Sequence, residues 1–293
     1  MDAAQHLVHR TSLLQDGSKF IIELEKSVMM SLLAGLYQYA AQIKADFDLA
    51  MDFRVCWELY APLQRGHKPR DDAFPWGEVG EKVVEAHLYS MLDQVFTKGL
   101  RFPGIPYGHD VRFLTDEAFV QIDVKSTGPT DNADEVVASP NQVTGDGLFE
   151  NNLMMNTTVQ VTGERSTIDF RPELSPFVVI GGKLYPVLTY YIKTVYDVRS
   201  KGDQPLSYME LACVPNGLLM FAGPRYHENN AGLLIPGKDE QHVQRKRTRI
   251  RLEPLAALPN GDWRCIKLIP GTGVWSLVAR RFNGPFVLPP KTT

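Results

Sequence analysis

Asp110, Asp123 and Lys125 are the residues of this chain whose types and spacing best suit catalysis. Carboxylates are hard oxygen ligands. A hard cation such as Mg²⁺ is commonly held by one or two of them, with water and substrate phosphate completing its shell. An ammonium beside such a pair can orient an attacking water and offset charge on phosphorus. The pattern is an aspartate, a gap, then Asp-x-Lys. Alone it is weak, because the triplet arises by chance in chains of this length and charged strand residues are usually just solvated.

The neighbouring residues indicate how the three could be brought together. Gly104-Ile-Pro-Tyr-Gly108-His109 reads as a turn leading into Asp110. Val111–Leu114 is a short apolar run, and Thr115-Asp-Glu117 is a polar turn. In the next run Val120, Ile122 and Val124 alternate with Phe119, Gln121, Asp123 and Lys125. Period two predicts a β-strand with one buried face and one solvated face. Asp123 and Lys125 then project side by side, about 7 Å apart along the strand. The two runs predict a hairpin that returns Asp110 to the end of the second strand.

Other elements can be placed around this hairpin. Ile21, Leu24, Val28, Leu32 and Leu36 recur at helical steps and predict a helix over 12–50, capped by Asp16 or Ser18. Its apolar stripe is either an ordinary packed face or a dimer contact, the first being the commoner use of such stripes. A loop over 57–76, with Arg65, His67, Lys68 and Arg70, has a composition suited to a phosphate backbone or to a plain surface connection. A second helix runs from Trp76 to Phe96, with Glu78, Glu81 and Glu85 on one face. One of these acids could reach the metal site as a ligand or water holder. The alternative is a solvated acidic face near a helix N-terminus. Phe177–Ile180, Gly181-Gly182 and Lys183–Tyr196 predict a strand, a tight turn and a long apolar strand, and Leu206–Val214 predicts another.

Composition bounds the function. The 293 residues carry a net charge of −3, so any nucleic-acid surface must be local. The 3 cysteines, Cys56, Cys213 and Cys265, have no CxxC spacing, which argues against a disulfide framework or structural zinc and for reduced thiols in the cytoplasm. No signal peptide or membrane span is expected. The local basic surface falls in 236–252, where six Lys/Arg face two acids. Alternation there predicts a strand with Arg245, Arg247, Arg249 and Arg251 on one face. Forked guanidiniums pair with guanine edges or phosphates. A charged edge strand that resists aggregation is the bland reading, and four aligned arginines exceed that need.

With these residues in view, the chain resembles the BglI group of type II restriction endonucleases, within the PD-(D/E)xK nucleases. The resemblance runs from about Ala45 to Leu252 in one order. It rests on Pro62-Leu-Gln-Arg-Gly66, Pro75-Trp-Gly-Glu-Val-Gly-Glu-Lys82, Asp123-Val-Lys-Ser-Thr-Gly-Pro-Thr-Asp131, Ser139-Pro-Asn-Gln-Val143, Val214-Pro-Asn-Gly-Leu218, Pro236-Gly-Lys-Asp239 and Lys246-Arg-Thr-Arg249. It implies an α/β fold with a mixed central sheet flanked by helices, one domain over 1–293, and a homodimer that uses Mg²⁺ to cut double-stranded DNA. By matched position Asp110 and Asp123 would be metal ligands, with the Val124 carbonyl, and Lys125 the catalytic lysine. Asp131, Lys238, Glu240, Arg247 and Arg249 would face base edges. The target would be an interrupted, GC-rich palindrome cut to 5′-phosphate ends, and a DNA methyltransferase would accompany the enzyme. The rivals are a structure-specific repair nuclease of the same fold, a non-catalytic DNA-binding protein, and a hydrolase of small phosphoesters. The arginine run counts against the first and third, and the intact triplet against the second.

Overall fold

The computed structural model describes residues 1–49, 76–96, 100–102, 108–199, 204–221, 232–237, 246–281 and 286–288. The expected loop over 57–76 lies almost wholly outside these residues, as does Cys56.

Among the described residues three helices lead the chain. Helix α1 spans Ala3–Leu14 and is capped by Asp2, whose carboxylate accepts from the Gln5 N–H at 2.8 Å. Helix α2 spans Lys19–Leu49 and α3 spans Trp76–Val95. The expected single helix over 12–50 is therefore broken in two. Asp16, Gly17 and Ser18 have φ of 57°, 65° and 69°. A left-handed backbone cannot continue a right-handed helix, and Gly17 adopts that conformation cheaply. The stripe Ile21, Leu24, Val28, Leu32 and Leu36 is buried inside the chain, the ordinary packed face of α2. Gly35 lets α3 approach α2, since a Cβ there would stand 2.5 Å from Met91 Cγ.

Helices α2 and α3 cover one face of a seven-stranded mixed sheet. Strands β1 (Val111–Leu114) and β2 (Phe119–Thr127) form the expected antiparallel hairpin. Strands β3 (Glu135–Ala138), β4 (Leu148–Glu150), β5 (Leu153–Met155), β6 (Val159–Thr162) and β7 (Thr167–Phe170) follow outside this sheet. β8 (Phe177–Ile180) and β9 (Lys183–Tyr196) pair across the Gly181-Gly182 turn, and β9 then runs parallel to β2, with Asp123 opposite Tyr191 and Lys125 opposite Lys193. β10 (Leu206–Val214) joins β9. Beyond β11 (Leu234–Pro236) and β12 (Thr248–Arg251), strands β13 (Cys265–Pro270) and β14 (Trp275–Ala279) complete the order β1-β2-β9-β10-β13-β14, with β8 on β9.

Val120, Ile122 and Val124 of β2 pack with Leu32, Phe47, Val84 and Met91 of the helices. The opposite face of the sheet is not solvated as the alternation predicted. A second layer, the sheet β11-β12-β3 with the β6–β7 hairpin, covers it through Val136, Val161, Phe170, Tyr191 and Ile250. Gln121 and Asp123 are accordingly buried. That layer is made mainly of strands, so the principal helices flank one face. Among the described residues no helix is long and apolar enough to cross a membrane.

Candidate active site and arginine-bearing sheet

Register fixes the two carboxylates. Val111 pairs with Ile122, so Asp110 stands just beyond the pairing, level with Asp123 of β2. Its Oδ2 accepts from the Val124 N–H at 2.6 Å. Asp123, only 1% exposed, has its Oδ1 accepting from Gln142 Nε2 at 2.5 Å and its Oδ2 ion-paired with Lys125 Nζ at 2.5 Å. Burial pushes the Asp123 carboxyl up to about 7. Lys125 opposes this shift, and Asp110 and Glu81 add to it. Burial would lower Lys125, but Asp123, Glu81 and Asp110 outweigh it and hold the ammonium above its ordinary value. The group is thus a partly desolvated pair of hard oxygen donors with mutual repulsion, the donor chemistry that suits a Mg²⁺-type ion. Among the described residues no set of three or more His, Cys, Asp or Glu is arranged to hold a metal.

Helix α3 reaches the same place. A Cβ on Gly80 would lie 2.4 Å from Phe47 and 2.7 Å from Ser126 Oγ, so glycine permits the close approach to β2. The next residue, Glu81, then accepts from the Ser126 N–H at 3.4 Å. Burial raises the Glu81 carboxyl, Lys125 and the Ser126 N–H lower it, and Asp110 raises it further. Glu81 therefore belongs to the site's electrostatics. Glu85 pairs with exposed Lys82 at 2.6 Å. The side chain of Glu78 lies outside the described residues.

Three further residues shape the site and were not singled out from sequence. Gln142 holds Asp123. Tyr191, on β9, donates to the Gln142 carbonyl at 3.3 Å. His109 is buried, and its ring is driven down to about 3 by burial and then by Lys125 and Arg112, so it stays neutral beside Asp110. The Ser139-x-x-Gln142 spacing is a capping-box pattern and was the available signal for Gln142.

The arginine stretch is shorter as a strand than its alternation predicted. β12 begins at Thr248, with Thr248 and Ile250 buried and Arg247, Arg249 and Arg251 half-buried on the alternate positions. Arg249 Nη1 is ion-paired with Glu135 Oε2 of β3 at 2.6 Å. Lys238, Glu240 and Arg245 lie outside the described residues. Asp131 is exposed in the turn between β2 and β3. Lys193 anchors that turn by donating to the carbonyls of Asn132, Ala133 and Glu135 at 3.2, 2.8 and 2.6 Å. Burial lowers its ammonium to about 8, with Glu210 opposing. Arg280 bridges Glu210, at 2.5 Å, to Asp134. The turn bearing Asp131 is thus tied to the central sheet by buried charge, beside the strand bearing Arg249.

The family model for restriction endonuclease BglI matches residues 3–268. This chain belongs to the BglI restriction endonuclease family. It is 36% identical over 234 residues to the type II restriction enzyme BglI of Bacillus subtilis, covering 72% of this chain and 78% of that protein. Its structure is similar to that of BglI bound to its DNA recognition sequence, with a TM-score of 0.78, 30% identity, and 91% and 96% of the two chains covered. It also shares its fold with the tetrameric restriction endonuclease SfiI bound to cognate DNA, with a TM-score of 0.63 at 11% identity and 90% of each chain covered.

Proposed function

We propose that the chain is a type II restriction endonuclease that hydrolyses both strands of double-stranded DNA at an interrupted, GC-rich palindrome, leaving 5′-phosphate ends. The observation that carries this reading is the juxtaposition of Asp110, Asp123 and Lys125 at the end of β2, with Lys125 Nζ 2.5 Å from Asp123, in a chain of the BglI family. Asp110, Asp123 and the Val124 carbonyl would hold Mg²⁺. The bound ion would supply Lewis-acid polarisation of the scissile phosphate and a more acidic water. Lys125, held protonated, would orient the attacking water in line with the P–O3′ bond; as that bond breaks, the water's proton passes to solvent and the leaving 3′ oxygen takes one from solvent. Glu81, beside the Ser126 N–H, adds negative charge that keeps Lys125 protonated. Burial of Asp123 excludes bulk water, which strengthens each of these interactions.

Specificity is assigned to the small sheet and its neighbouring turn. Asp131, Arg247 and Arg249, with Lys238 and Glu240, would face base edges. Arginine and lysine pair with guanine and carboxylates accept from cytosine, hence GC-rich half-sites. A single chain reads one half-site, so the active form is a homodimer whose two-fold axis mirrors the palindrome. We further assign one domain over 1–293, since both apolar layers share the central sheet. Location in the cytoplasm with a cognate methyltransferase follows from the need to protect host DNA. Digestion of a plasmid of known sequence in Mg²⁺, with the ends sequenced, tests the reading. Discrete fragments with one shared interrupted palindrome are expected. Cutting only at branched or flapped substrates would favour a repair nuclease instead.

A further inference from the structure

The carboxylate of Asp123 is steered by a residue from another part of the chain. A short 3₁₀ turn, Pro140–Gln142, follows β3 directly. Within it the Ser139 N–H donates to Gln142 Oε1 at 2.9 Å. That bond fixes which end of the amide is the acceptor, so Nε2 is the end aimed at Asp123 Oδ1, 2.5 Å away. The Gln142 backbone is held as well: its carbonyl accepts from Tyr191, the β9 residue in register with Asp123. The same turn presses on the approach to the other carboxylate. Gly108 has φ +84°, and a Cβ there would stand 2.3 Å from the Asn141 carbonyl oxygen.

We propose that Gln142 is a positioning residue for metal binding: its amide holds Asp123 Oδ1 away from Lys125, leaving that carboxylate spread between the two rather than closed onto the ammonium. This rests on the reading of Asp123 as a metal ligand. Without the amide, a buried oxygen loses its donor, while Lys125 Nζ remains as the donor on the other oxygen of the same carboxylate. The carboxylate then turns toward the lysine and presents less charge to a cation. Hydrogen-bond partners that orient metal ligands typically account for about 10–100-fold in metal affinity. The turn also follows β3, the strand paired with β12, so Gln142 joins the arginine-bearing sheet to Asp123.

The test uses the full-length protein and a duplex carrying the cleavage site mapped by plasmid digestion. The Ca²⁺ midpoint for tightening of duplex binding and the Mg²⁺ midpoint for cleavage are measured for wild type, Gln142→Met and Asp123→Asn. Gln142→Met should raise both midpoints about tenfold or more, while kcat at saturating Mg²⁺ stays within a few-fold of wild type and metal-free duplex binding is unchanged. Unmoved midpoints in Gln142→Met, with the metal response abolished in Asp123→Asn, would overturn the inference alone. A metal response that survives Asp123→Asn would overturn the ligand assignment on which it rests. If Gln142→Met does not fold, Tyr191→Phe loosens the same turn while leaving the amide in place. A smaller upward shift in both midpoints supports the proposal, and no shift overturns it.

Discussion

Asp110 accepts a 2.6 Å hydrogen bond from the backbone N–H of Val124. The residue that ends one turn is thereby fastened to the strand position beside Asp123. Its carboxylate is placed by the main chain of β2 rather than by a flexible side-chain partner. A carboxylate held this way is preorganised for a cation and pays little reorganisation when one binds.

Removing either half of the Asp123–Lys125 ion pair should separate chemistry from recognition. Asp123→Ala and Lys125→Ala should abolish cleavage while sequence-specific duplex binding survives, Asp123→Ala losing only the tightening that Ca²⁺ gives, since Asp131, Arg247 and Arg249, the described residues proposed to read bases, lie outside β2. Single-turnover cleavage and binding titrations check this. Mg²⁺-dependent cutting by Asp123→Ala above about a thousandth of the normal rate would remove Asp123 from the assignment.

Metal affinity should depend on pH through Asp123. Burial, with help from Asp110 and Glu81, raises its carboxyl from 3.8 to about 7 despite Lys125. Only the deprotonated form binds a cation, so protons compete below about 7 and not above. The Ca²⁺ midpoint for duplex binding should therefore rise about tenfold from pH 8 to pH 6. A flat midpoint across that range would mean that Asp123 titrates lower or is not a ligand.

Stability should depend on a buried pair far from the site. Glu25 of α2 is wholly buried, ion-paired with Arg264 at 2.6 Å and accepting from the Asn216 N–H at 2.6 Å. Removing one partner leaves the other charge buried and uncompensated, which costs about 3–5 kcal/mol. Arg264→Ala should thus lower the denaturant midpoint sharply. A loss under about 1 kcal/mol would show that water reaches the pair.

What the sequence could disclose was local. The β1–β2 hairpin, the Gly181-Gly182 turn and the helix at Trp76–Val95 each carry their period within a few residues, and the structure has them in place. The burial of Asp123 was not legible, because the covering layer comes from β3, β6, β7, β11 and β12 and leaves no trace in the alternation of β2. Alternation distinguishes two faces but cannot say that both are covered. The parallel pairing of β2 with β9 was hidden for a related reason: β9 is buried on both faces and has no period to read. The grip of Gln142 on Asp123 spans 19 residues of chain and that of Glu25 on Arg264 spans 239, distances over which spacing carries no signal. The break at Asp16–Ser18 was missed because polar residues that cap a helix also serve in a left-handed turn.

Specificity should rest on Arg249, and the structure adds a condition to that expectation. With a net charge of −3 the chain cannot hold DNA by overall attraction, so positive charge must act locally. Arg249 is already held by Glu135 at 2.6 Å, both side chains being largely buried. A guanidinium carries five N–H donors, so one bond to Glu135 fixes its plane and leaves others for a guanine edge. Base reading by a fixed fork is selective, whereas a swinging fork would settle on phosphate. Arg249→Ala should lose about 1–3 kcal/mol of discrimination at one guanine. Glu135→Gln should lose part of the same discrimination at the same base, because the fork remains but is less firmly aimed. A phosphate-only contact would instead weaken all duplexes alike and flatten the salt slope by about one unit. Titrations against the mapped site, single-substituted sites and random duplex at several salt concentrations separate the two. Equal weakening of every duplex by Arg249→Ala would make β12 a backbone clamp and move base reading to other residues, Asp131 first among those described here.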